Sequence, residues 1–414
     1  MFAKGIAVIG LGYIGLPTSA VLATRGVRVK GVDVNEHFVE EINAGRVPIF
    51  EPDLDVAVAA AVARGQFTAS TKVPEADAFL IAVPTPFKED HQPDLSYIKA
   101  ATESIAPSLH GGEVVILEST APPYTTLQIS KWLSKLRPDL KFPHDSEAPD
   151  VHVAHCPERV LPGRTMIELV TNDRVVGGLT PACSERAADV YRVFCEGEIL
   201  LTDAASAEMA KLTENSFRDV SIAFANELST ICEEIGIDVW EVIRLANHHP
   251  RVNILNPGPG VGGHCIAVDP WFIVAAAPDE ARLIRVAREV NDGRPGRVVD
   301  SIVEAAGMLA NPVIACLGLA FKANIDDLRE SPALAITRQV ADRLPGAIVL
   351  AVEPHVKNLP NSLVDIDNCS LVEMSDALPK ADVVVLLVDH NQFKSISPAD
   401  LDGKQVIDTR GLWR

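Results

Sequence analysis

The chain begins with a strand, a glycine-rich turn, a helix and a second strand in one uninterrupted run, GIAVIGLGYIGLPTSAVLATRGVRVKGVD. The turn carries the spacing GxGxxG at Gly10, Gly12 and Gly15, and the second strand ends in Asp33. In such a βαβ unit the glycines permit a tight turn and the close approach of a pyrophosphate, while the acidic residue accepts hydrogen bonds from ribose hydroxyls. The run therefore predicts a dinucleotide-binding domain, and Asp33 favours NAD over NADP as the cofactor.

The rest of the first half of the chain continues this alternation of strands and helices. Tyr13 and Ile14 belong to the glycine turn, so we expect their backbone amides to contact NAD as well. Further apolar strands, separated by amphipathic segments, are predicted at residues 78–86, 113–120, 151–158 and 173–178. Their order indicates a doubly wound α/β sheet.

Polar residues stand at the ends of these predicted strands, where open α/β sheets bind their ligands. They are Thr85, Ser119, Thr120 and Glu158. Serine and threonine at such places also cap helices and close turns, so a purely structural role stays open for each hydroxyl.

A second glycine-rich segment, NPGPGVGGHCIAVDP at residues 256–270, points to covalent chemistry. Cys265 directly follows a cluster of glycines, and Asp269 lies four residues further on. Glycines let the backbone approach a ligand closely, and a thiolate in such a nest can attack a carbonyl carbon. The alternative is a glycine-rich turn that ends in a small buried cysteine.

Residues 204–235 contain no glycine or proline and predict one long helix. A helix of this length commonly packs against a partner subunit or bridges domains, so we expect a homodimer. Lys211, Asn215 and Arg218 follow one another on one face of this helix, which predicts either a binding face or a solvated one. Further on, the segment HHPRVNIL is expected to be extended, so that His249, Arg251 and Asn253 point to one side.

The last third of the chain repeats the strand–helix pattern without a GxGxxG motif, which predicts a second, smaller Rossmann-like domain. Basic residues at its predicted strand ends, Lys322, Arg329 and Arg410, suit an anionic ligand. The predicted fold class is therefore α/β, with two Rossmann-like doubly wound domains joined by a long central helical domain. We expect boundaries at residues 1–200, 201–305 and 306–414.

Composition excludes several other classes of protein. The net charge of −19 disfavours nucleic acid and anionic membranes as partners. The seven cysteines form no CxxC pair and have no histidines at zinc spacing, so we expect no metal and a reducing compartment, the cytoplasm. No apolar run approaches the ~20 residues of a membrane span, and the first strand begins too early to follow a leader peptide.

Nine ordered motifs make the chain resemble the UDP-glucose/GDP-mannose dehydrogenase family: GLGYIGLP, VPTP, EST, CPERVLPG, AEMAKLTENSFRD, FANEL, GPGVGGHC, GLAFKANIDDLRESPA and DTRG. The resemblance implies a four-electron oxidation of a nucleotide sugar at carbon six by two NAD. HPRVNILNPGPGVGGHCIAVDPWF and AKLTENSFRDVSIAFANEL are most similar to members that act on UDP-N-acetyl-D-mannosamine. UDP-glucose members carry CxxKD, where this chain has Val268 in place of the lysine.

Other functions stay open at this point. UDP-N-acetylglucosamine or UDP-glucose is the alternative substrate, and a non-catalytic NAD-binding sensor is the alternative class of protein. A sensor is disfavoured because both Cys265 and Lys211 are present.

The resemblance also implies roles for individual residues. Lys211 would stabilise charge on, or take a proton from, the reacting oxygen, and Cys265 would form a thiohemiacetal and then a thioester. Asp269, with Lys211, would organise the hydrolytic water, and Glu158 is a second candidate base. Asn215 is a further candidate catalytic residue.

Binding residues follow from the same resemblance. NAD would contact Gly10, Gly12, Tyr13, Ile14, Gly15, Asp33, Thr85, Arg329 and a hydroxyl of Thr120 or Thr126. The UDP-sugar would contact Arg159, Val160, Lys211, Asn215, Arg218, Gly262, Phe321, Lys322 and Arg410, with His249 and Arg251 contributed across the dimer.

Overall fold

A computed structural model describes residues 2–49, 51–88, 91–263, 265–307 and 309–413. The chain forms two compact units, Met1–Glu214 and Asn215–Arg414. One long helix, α8 (Ala204–Ile235), includes residues of both units. Its bounds confirm the prediction of a single helix over this segment.

The first unit contains an eight-stranded sheet with the order β3-β2-β1-β4-β5-β6-β7-β8. All neighbouring strands are parallel except β6 and β7, which are antiparallel. The strands are β1 (Ile6–Ile9), β2 (Val29–Val32), β3 (Phe67–Ser70), β4 (Ala78–Ile81), β5 (Val114–Leu117), β6 (His152–His155), β7 (Arg174–Gly178) and β8 (Ile199–Asp203). The helices are α1 (Gly15–Thr24), α2 (Glu36–Asn43), α3 (Leu54–Ala63), α4 (Ser96–Ile105), α5 (Thr125–Leu136), α6 (Thr165–Thr171) and α7 (Pro181–Tyr191).

Both faces of this sheet are covered. Along β1, Ile6 and Val8 belong to one hydrophobic core, whereas Ala7 and Ile9 belong to another. Successive side chains of a strand point to opposite faces, so the strand is buried on both sides, as parallel strands usually are. This arrangement confirms the doubly wound sheet.

The second unit contains a five-stranded parallel sheet with the order β11-β10-β9-β12-β13. Its strands are β9 (Val313–Leu317), β10 (Ile348–Val352), β11 (Cys369–Leu371), β12 (Val383–Leu386) and β13 (Gln405–Asp408). Its helices after α8 are α9 (Val239–Ala246), α10 (Asp269–Ala276), α11 (Arg282–Ala306), α12 (Pro332–Arg343), α13 (Asn361–Val364) and α14 (Met374–Ala377). The fold class predicted from the sequence is therefore confirmed.

The prediction of an extended HHPRVNIL segment is wrong at its start. Residues 247–251 form turns, and the backbone N–H of Val252 donates to the carbonyl of His249 at 3.0 Å. The turns end at Arg251, and local backbone bonds such as this one close the chain directly after α9. Within the described ranges, no helix combines the length and the apolar character needed to cross a bilayer.

Candidate active site

The glycine turn after β1 has the geometry that a dinucleotide requires. Gly10 has a φ of +94°, and a Cβ on Gly15 would lie 1.8 Å from the carbonyl oxygen of Gly10, so both positions need glycine. On Gly12, a Cβ would meet no described atom within 4 Å, which leaves the outer side of the turn open. Asp33 accepts from the backbone N–H of Leu11 at 2.8 Å, which places its carboxylate beside this turn.

The candidate hydroxyls for NAD binding differ in whether they already have a hydrogen-bond partner. The Oγ1 of Thr85 is buried and has no hydrogen-bond partner among the residues that the structure describes. By contrast, the hydroxyl of Ser119 donates to the carbonyl of Val83 at 2.7 Å, and that of Thr126 donates to Glu208 at 2.6 Å. Thr120 is half-buried. The buried, unsatisfied hydroxyl of Thr85 is available for a hydrogen bond to a ligand.

Glu158 lies in a buried charged cluster. Its Oε2 is 3.7 Å from Nη2 of Arg174, and its Oε1 accepts from the backbone N–H of Arg159 at 2.6 Å. Arg174 also packs over the ring of Tyr191, whose hydroxyl donates to Glu118 at 2.8 Å. Burial raises the pKa of Glu118 to about 7. Arg174 therefore shares its positive charge between two carboxylates.

Two residues next to Glu158 were predicted to bind the sugar nucleotide. The guanidinium of Arg159 forms an ion pair with Glu214, with Nη2 and Oε1 2.6 Å apart. Val160 is half-buried against the core of the first unit. Arg159 thus keeps a fixed position near the end of β6.

The predicted polar face of α8 is not uniform. Lys211 is half-buried and Arg218 is exposed, whereas Asn215 is buried. The side-chain amide of Asn215 donates to Oδ2 of Asp269 at 2.5 Å. A solvated face would leave this amide in water, so the solvated alternative does not hold at Asn215.

Cys265 lies in the turn that leads into α10. Its side chain is exposed, and its carbonyl accepts from the backbone N–H groups of Val268 and Asp269 at 3.1 and 2.8 Å. Asp269 is the first residue of α10 and is only 2 % exposed. The turn that carries the thiol thus leads directly into the buried carboxylate that accepts from the amide of Asn215. His264 lies outside the described residues.

The glycines of residues 256–263 permit close packing against the C-terminal sheet. A Cβ on Gly262 would lie 2.4 Å from the carbonyl oxygen of Glu330, and one on Gly263 would lie 3.0 Å from the ring of Phe321. A Cβ on Gly258 would lie 2.8 Å from Nη1 of Arg410. Phe321 and Arg410 follow different strands, so the glycines bring two predicted substrate residues to one loop.

The remaining predicted residues occupy varied surroundings. Lys322 is exposed, and the exposed Arg329 forms an ion pair with Asp327. His249 and Arg251 are exposed in the turn after α9, where the backbone N–H of Arg251 donates to Nδ1 of His249 at 3.3 Å. The guanidinium of Arg410 donates to Asp389 at 3.0 Å.

Similarity to known proteins assigns the family. Residues 4–195 match the NAD binding domain of the UDP-glucose/GDP-mannose dehydrogenase family, residues 205–293 match its central domain, and residues 315–414 match its UDP binding domain. The chain belongs to the UDP-glucose/GDP-mannose dehydrogenase family. It is an NAD-dependent UDP-sugar dehydrogenase, which confirms the predictions of family, cofactor and enzyme class.

Individual relatives of this dehydrogenase cover nearly the whole chain. The chain is 60% identical over 411 residues to an NDP-N-acetyl-D-galactosaminuronic acid dehydrogenase of Ralstonia nicotianae, covering 99% of this chain and 96% of that protein. It is 58% identical over 418 residues to the UDP-N-acetyl-D-mannosamine dehydrogenase of Yersinia pestis, covering 99% of both. A solved UDP-D-ManNAc dehydrogenase of Pyrococcus horikoshii superposes with a TM-score of 0.87 at 36% identity, covering 99% of this chain and 96% of that one.

Proposed function

We propose that this dehydrogenase oxidises UDP-N-acetyl-D-mannosamine at sugar carbon six to UDP-N-acetyl-D-mannosaminuronate, for the synthesis of bacterial surface polysaccharide. The observation that carries the proposal is the 58% identity to the Yersinia UDP-N-acetyl-D-mannosamine dehydrogenase across 99% of both chains. The Ralstonia relative, at 60% identity, favours a second candidate in which the product is an N-acetyl-D-galactosaminuronate. Both candidates carry an acetamido group on the sugar.

NAD held at the glycine turn would supply the hydride acceptor for both oxidation steps. In the first, Lys211 stabilises negative charge on the carbon-six oxygen or takes its proton, and an aldehyde results. The thiol of Cys265 then adds to the aldehyde carbon and forms a thiohemiacetal. Loss of the second hydride from this adduct leaves a thioester on the sulfur.

Water finally hydrolyses the thioester, which gives the carboxylate and returns the thiol. In our proposal Asp269 accepts a proton from this water, with Asn215 holding its carboxylate by the 2.5 Å hydrogen bond. Glu158 is the second candidate base, and its Oε2 lies 3.7 Å from Nη2 of Arg174. The covalent bond to Cys265 prevents the aldehyde from leaving before it is oxidised.

The remaining predicted contacts complete the proposed binding sites. Arg410 and Phe321 lie against the glycine loop, where the phosphates and the base of the UDP-sugar would meet a cation and an aromatic ring. Lys322, Arg159, Val160, Arg218 and Gly262 belong to the same proposed substrate site. Thr85, Thr120 or Thr126, and Arg329 belong to the proposed NAD site. The three domain boundaries and the cytoplasmic location remain part of this proposal.

We also propose that the enzyme is a homodimer formed through α8. Three large apolar side chains at heptad spacing on this helix, Phe217, Phe224 and Ile231, are 72%, 57% and 47% exposed. Residues at this spacing share one face of a helix, so the three form a continuous apolar stripe that a second copy would cover. The exposed His249 and Arg251 would then contribute to the partner's substrate site.

Counting the NADH formed per molecule of each of several UDP-sugars tests the proposed function. The enzyme is incubated with NAD and, separately, with the UDP derivatives of N-acetylmannosamine, N-acetylgalactosamine, N-acetylglucosamine and glucose. About two NADH per sugar, with the highest kcat/KM for UDP-N-acetylmannosamine, is expected for a four-electron oxidation through an enzyme-bound intermediate. A higher kcat/KM for UDP-N-acetylgalactosamine would establish the second candidate, and no NADH with any sugar would support the sensor.

A further inference from the structure

The backbone that leads to Cys265 contains little regular structure of its own. The described residues 252–263 belong to no helix or strand. Gly260 and Gly263 have φ values of +142° and +84°, in regions that glycine enters easily and other residues rarely do. Such a segment has high conformational freedom when unfolded, so the position of the thiol depends on the contacts that anchor the segment.

Two buried side chains anchor the segment by hydrogen bonds to the backbone of Gly258. The backbone N–H of Gly258 donates to Oδ1 of Asn226 at 2.9 Å, and its carbonyl accepts from Nε of Arg294 at 3.1 Å. Both side chains are more than nine-tenths buried. Buried backbone groups need partners, and here two side chains from α8 and α11 supply the partners for both the N–H and the carbonyl of Gly258.

A buried chain of hydrogen bonds fixes the amide of Asn226. Its Nδ2 donates to Oδ1 of Asn291 at 2.9 Å, and Asn291 donates to Oδ1 of Asp219 at 2.8 Å. Arg288 ends the chain by pairing with the same Asp219 oxygen at 2.6 Å. Because Asn291 accepts from Nδ2, the amide of Asn226 is oriented with its oxygen toward Gly258.

Arg294 is held in a similar way. Its two terminal nitrogens donate to Thr230 and Ser229 of α8 at 3.2 Å each. These bonds leave Nε directed at the carbonyl of Gly258. Lysine could not reproduce this fork of three donors.

The same helix also anchors the other end of the segment. Asn215 bonds to Asp269, directly after the turn that contains Cys265. Asn226 lies about three helical turns further along α8 and on nearly the same face. One face of α8 thus holds the segment both before and after Cys265.

We infer that Asn226 and Arg294 are positioning residues for the thiol of Cys265, and that they set how efficiently it captures the aldehyde. This inference rests on the proposed function, in which Cys265 is the nucleophile. The first oxidation does not use the thiol, whereas the second requires it. A loosened segment would therefore let free aldehyde leave after one hydride transfer, so the yield of NADH per sugar would fall.

The test compares Asn226→Ala and Arg294→Gln with Arg297→Gln, an exposed arginine one turn further along α11. NADH per sugar is measured with UDP-N-acetylmannosamine, and with UDP-N-acetylgalactosamine if that is the better substrate, while hydroxylamine traps free aldehyde. We expect the first two variants to fall from about two NADH per sugar toward one, with trapped aldehyde, and Arg297→Gln to remain at about two. A loss of folded protein lowers the rate of both oxidations alike and leaves this ratio unchanged. Slower variants that still give two NADH and no aldehyde would overturn the inference.

Two further measurements separate the possible failures. Amide hydrogen exchange in a peptide covering residues 256–263 is expected to be at least about tenfold faster in Asn226→Ala than in Arg297→Gln, because Gly258 loses its acceptor. If Asn226→Ala does not fold, Asn226→Asp, which retains the acceptor oxygen but not the Nδ2 donor, takes its place beside Arg294→Gln. If Cys265→Ala still gives two NADH per sugar, the proposed function itself is refuted. If Cys265→Ala gives one NADH per sugar but both anchor variants, Asn226→Ala and Arg294→Gln, still give two, only the inference is refuted.

Discussion

The buried carboxylate of Asp269 accepts a hydrogen bond from the side-chain amide of Asn215, which links the first residue of α10 to the middle of α8. Both residues are less than a tenth exposed. A carboxylate with so little access to water must act on a nearby group or stabilise the packing of the two helices. Asp269 directly follows the turn of Cys265, so this contact joins the proposed nucleophile to the proposed base.

Asp269→Asn is expected to lower kcat about 100-fold or more, because an amide retains the hydrogen bond to Asn215 but cannot accept a proton. Hydrolysis is the affected step, so sugar should accumulate as a thioester on Cys265. Intact-protein mass spectrometry after acid quenching measures this adduct. A variant with reduced kcat but no adduct would place the role of Asp269 before the thioester.

Cys265→Ala is expected to lower the yield from about two NADH per sugar to about one, with release of the aldehyde, while leaving NAD affinity near that of the wild type. The thiol is needed for capture of the aldehyde, and the proposed NAD site lies mostly in the glycine turn of the first unit. Cys195→Ala, which removes a half-buried thiol elsewhere, is the matched control. Full turnover by Cys265→Ala would remove the covalent step from the mechanism.

Asp33→Asn is expected to raise the KM for NAD at least about tenfold and to change the KM for the sugar little. The amide can still accept from Leu11, but it loses the charge-assisted hydrogen bonds to the ribose hydroxyls. Steady-state kinetics with each substrate varied in turn measures the difference. An unchanged NAD dependence would show that this turn does not hold the cofactor.

The corresponding acid of the second sheet provides a control for Asp33. Glu353 follows β10 and accepts from the backbone N–H of Leu319 at 2.7 Å, as Asp33 accepts from Leu11. Its Oε2 is also 3.0 Å from Nε2 of the buried His390. The carboxylate of Glu353 is therefore already engaged by the imidazole of His390. Glu353→Gln is expected to lower the free energy of unfolding without changing the KM for NAD.

The sequence predicted the parts of the fold that have strong local patterns. Apolar β1, the glycine turn and Asp33 follow one another within the chain, and α8 lacks any helix breaker, so both were predicted from local sequence. The three-residue strand β11 and the half-exposed strand β8 have patterns too short or too mixed to predict. The turn after α9 is closed by local backbone bonds, such as those from His249 and Val252, that the sequence pattern does not reveal.

The candidate site, too, could be predicted only where its residues form a local sequence motif. Cys265 and Asp269 stand in a recognisable motif, whereas Asn226 and Arg294 lie far from it in the chain. Their contacts to Gly258 arise only when α8 and α11 pack together. An amide and a guanidinium within long helices are a weak sequence signal for such anchors, and this signal is also typical of ordinary buried polar contacts.

The buried Glu118 predicts a specific pH dependence of stability. Its pKa rises from 4.5 to about 7 because burial penalises the charged form. The folded state therefore holds its proton more tightly than the unfolded state, so this stabilisation is present below pH 4.5 and is lost as the pH rises through 7.

Glu118→Gln is expected to remove this dependence. The loss of stability between pH 5 and pH 8 should shrink by up to about 3 kcal/mol relative to the wild type, because glutamine does not titrate. Urea unfolding at the two pH values measures the difference. The exposed Glu103→Gln is the control and should leave the pH dependence unchanged. An identical slope in Glu118→Gln and the wild type would mean that Arg174 keeps Glu118 charged.

Phe224→Asp is expected to convert the proposed dimer to monomer, because a charge placed in the apolar stripe of α8 would be buried without a partner in that assembly. Sedimentation velocity measures the change, with Val56→Asp on the exposed face of α3 as the control. If His249 and Arg251 act across the interface, the KM for the sugar nucleotide should rise together with the loss of the dimer and should recover at protein concentrations that restore it. A fully active monomer would show that each chain carries a complete substrate site, and the two residues would then act, if at all, within their own subunit.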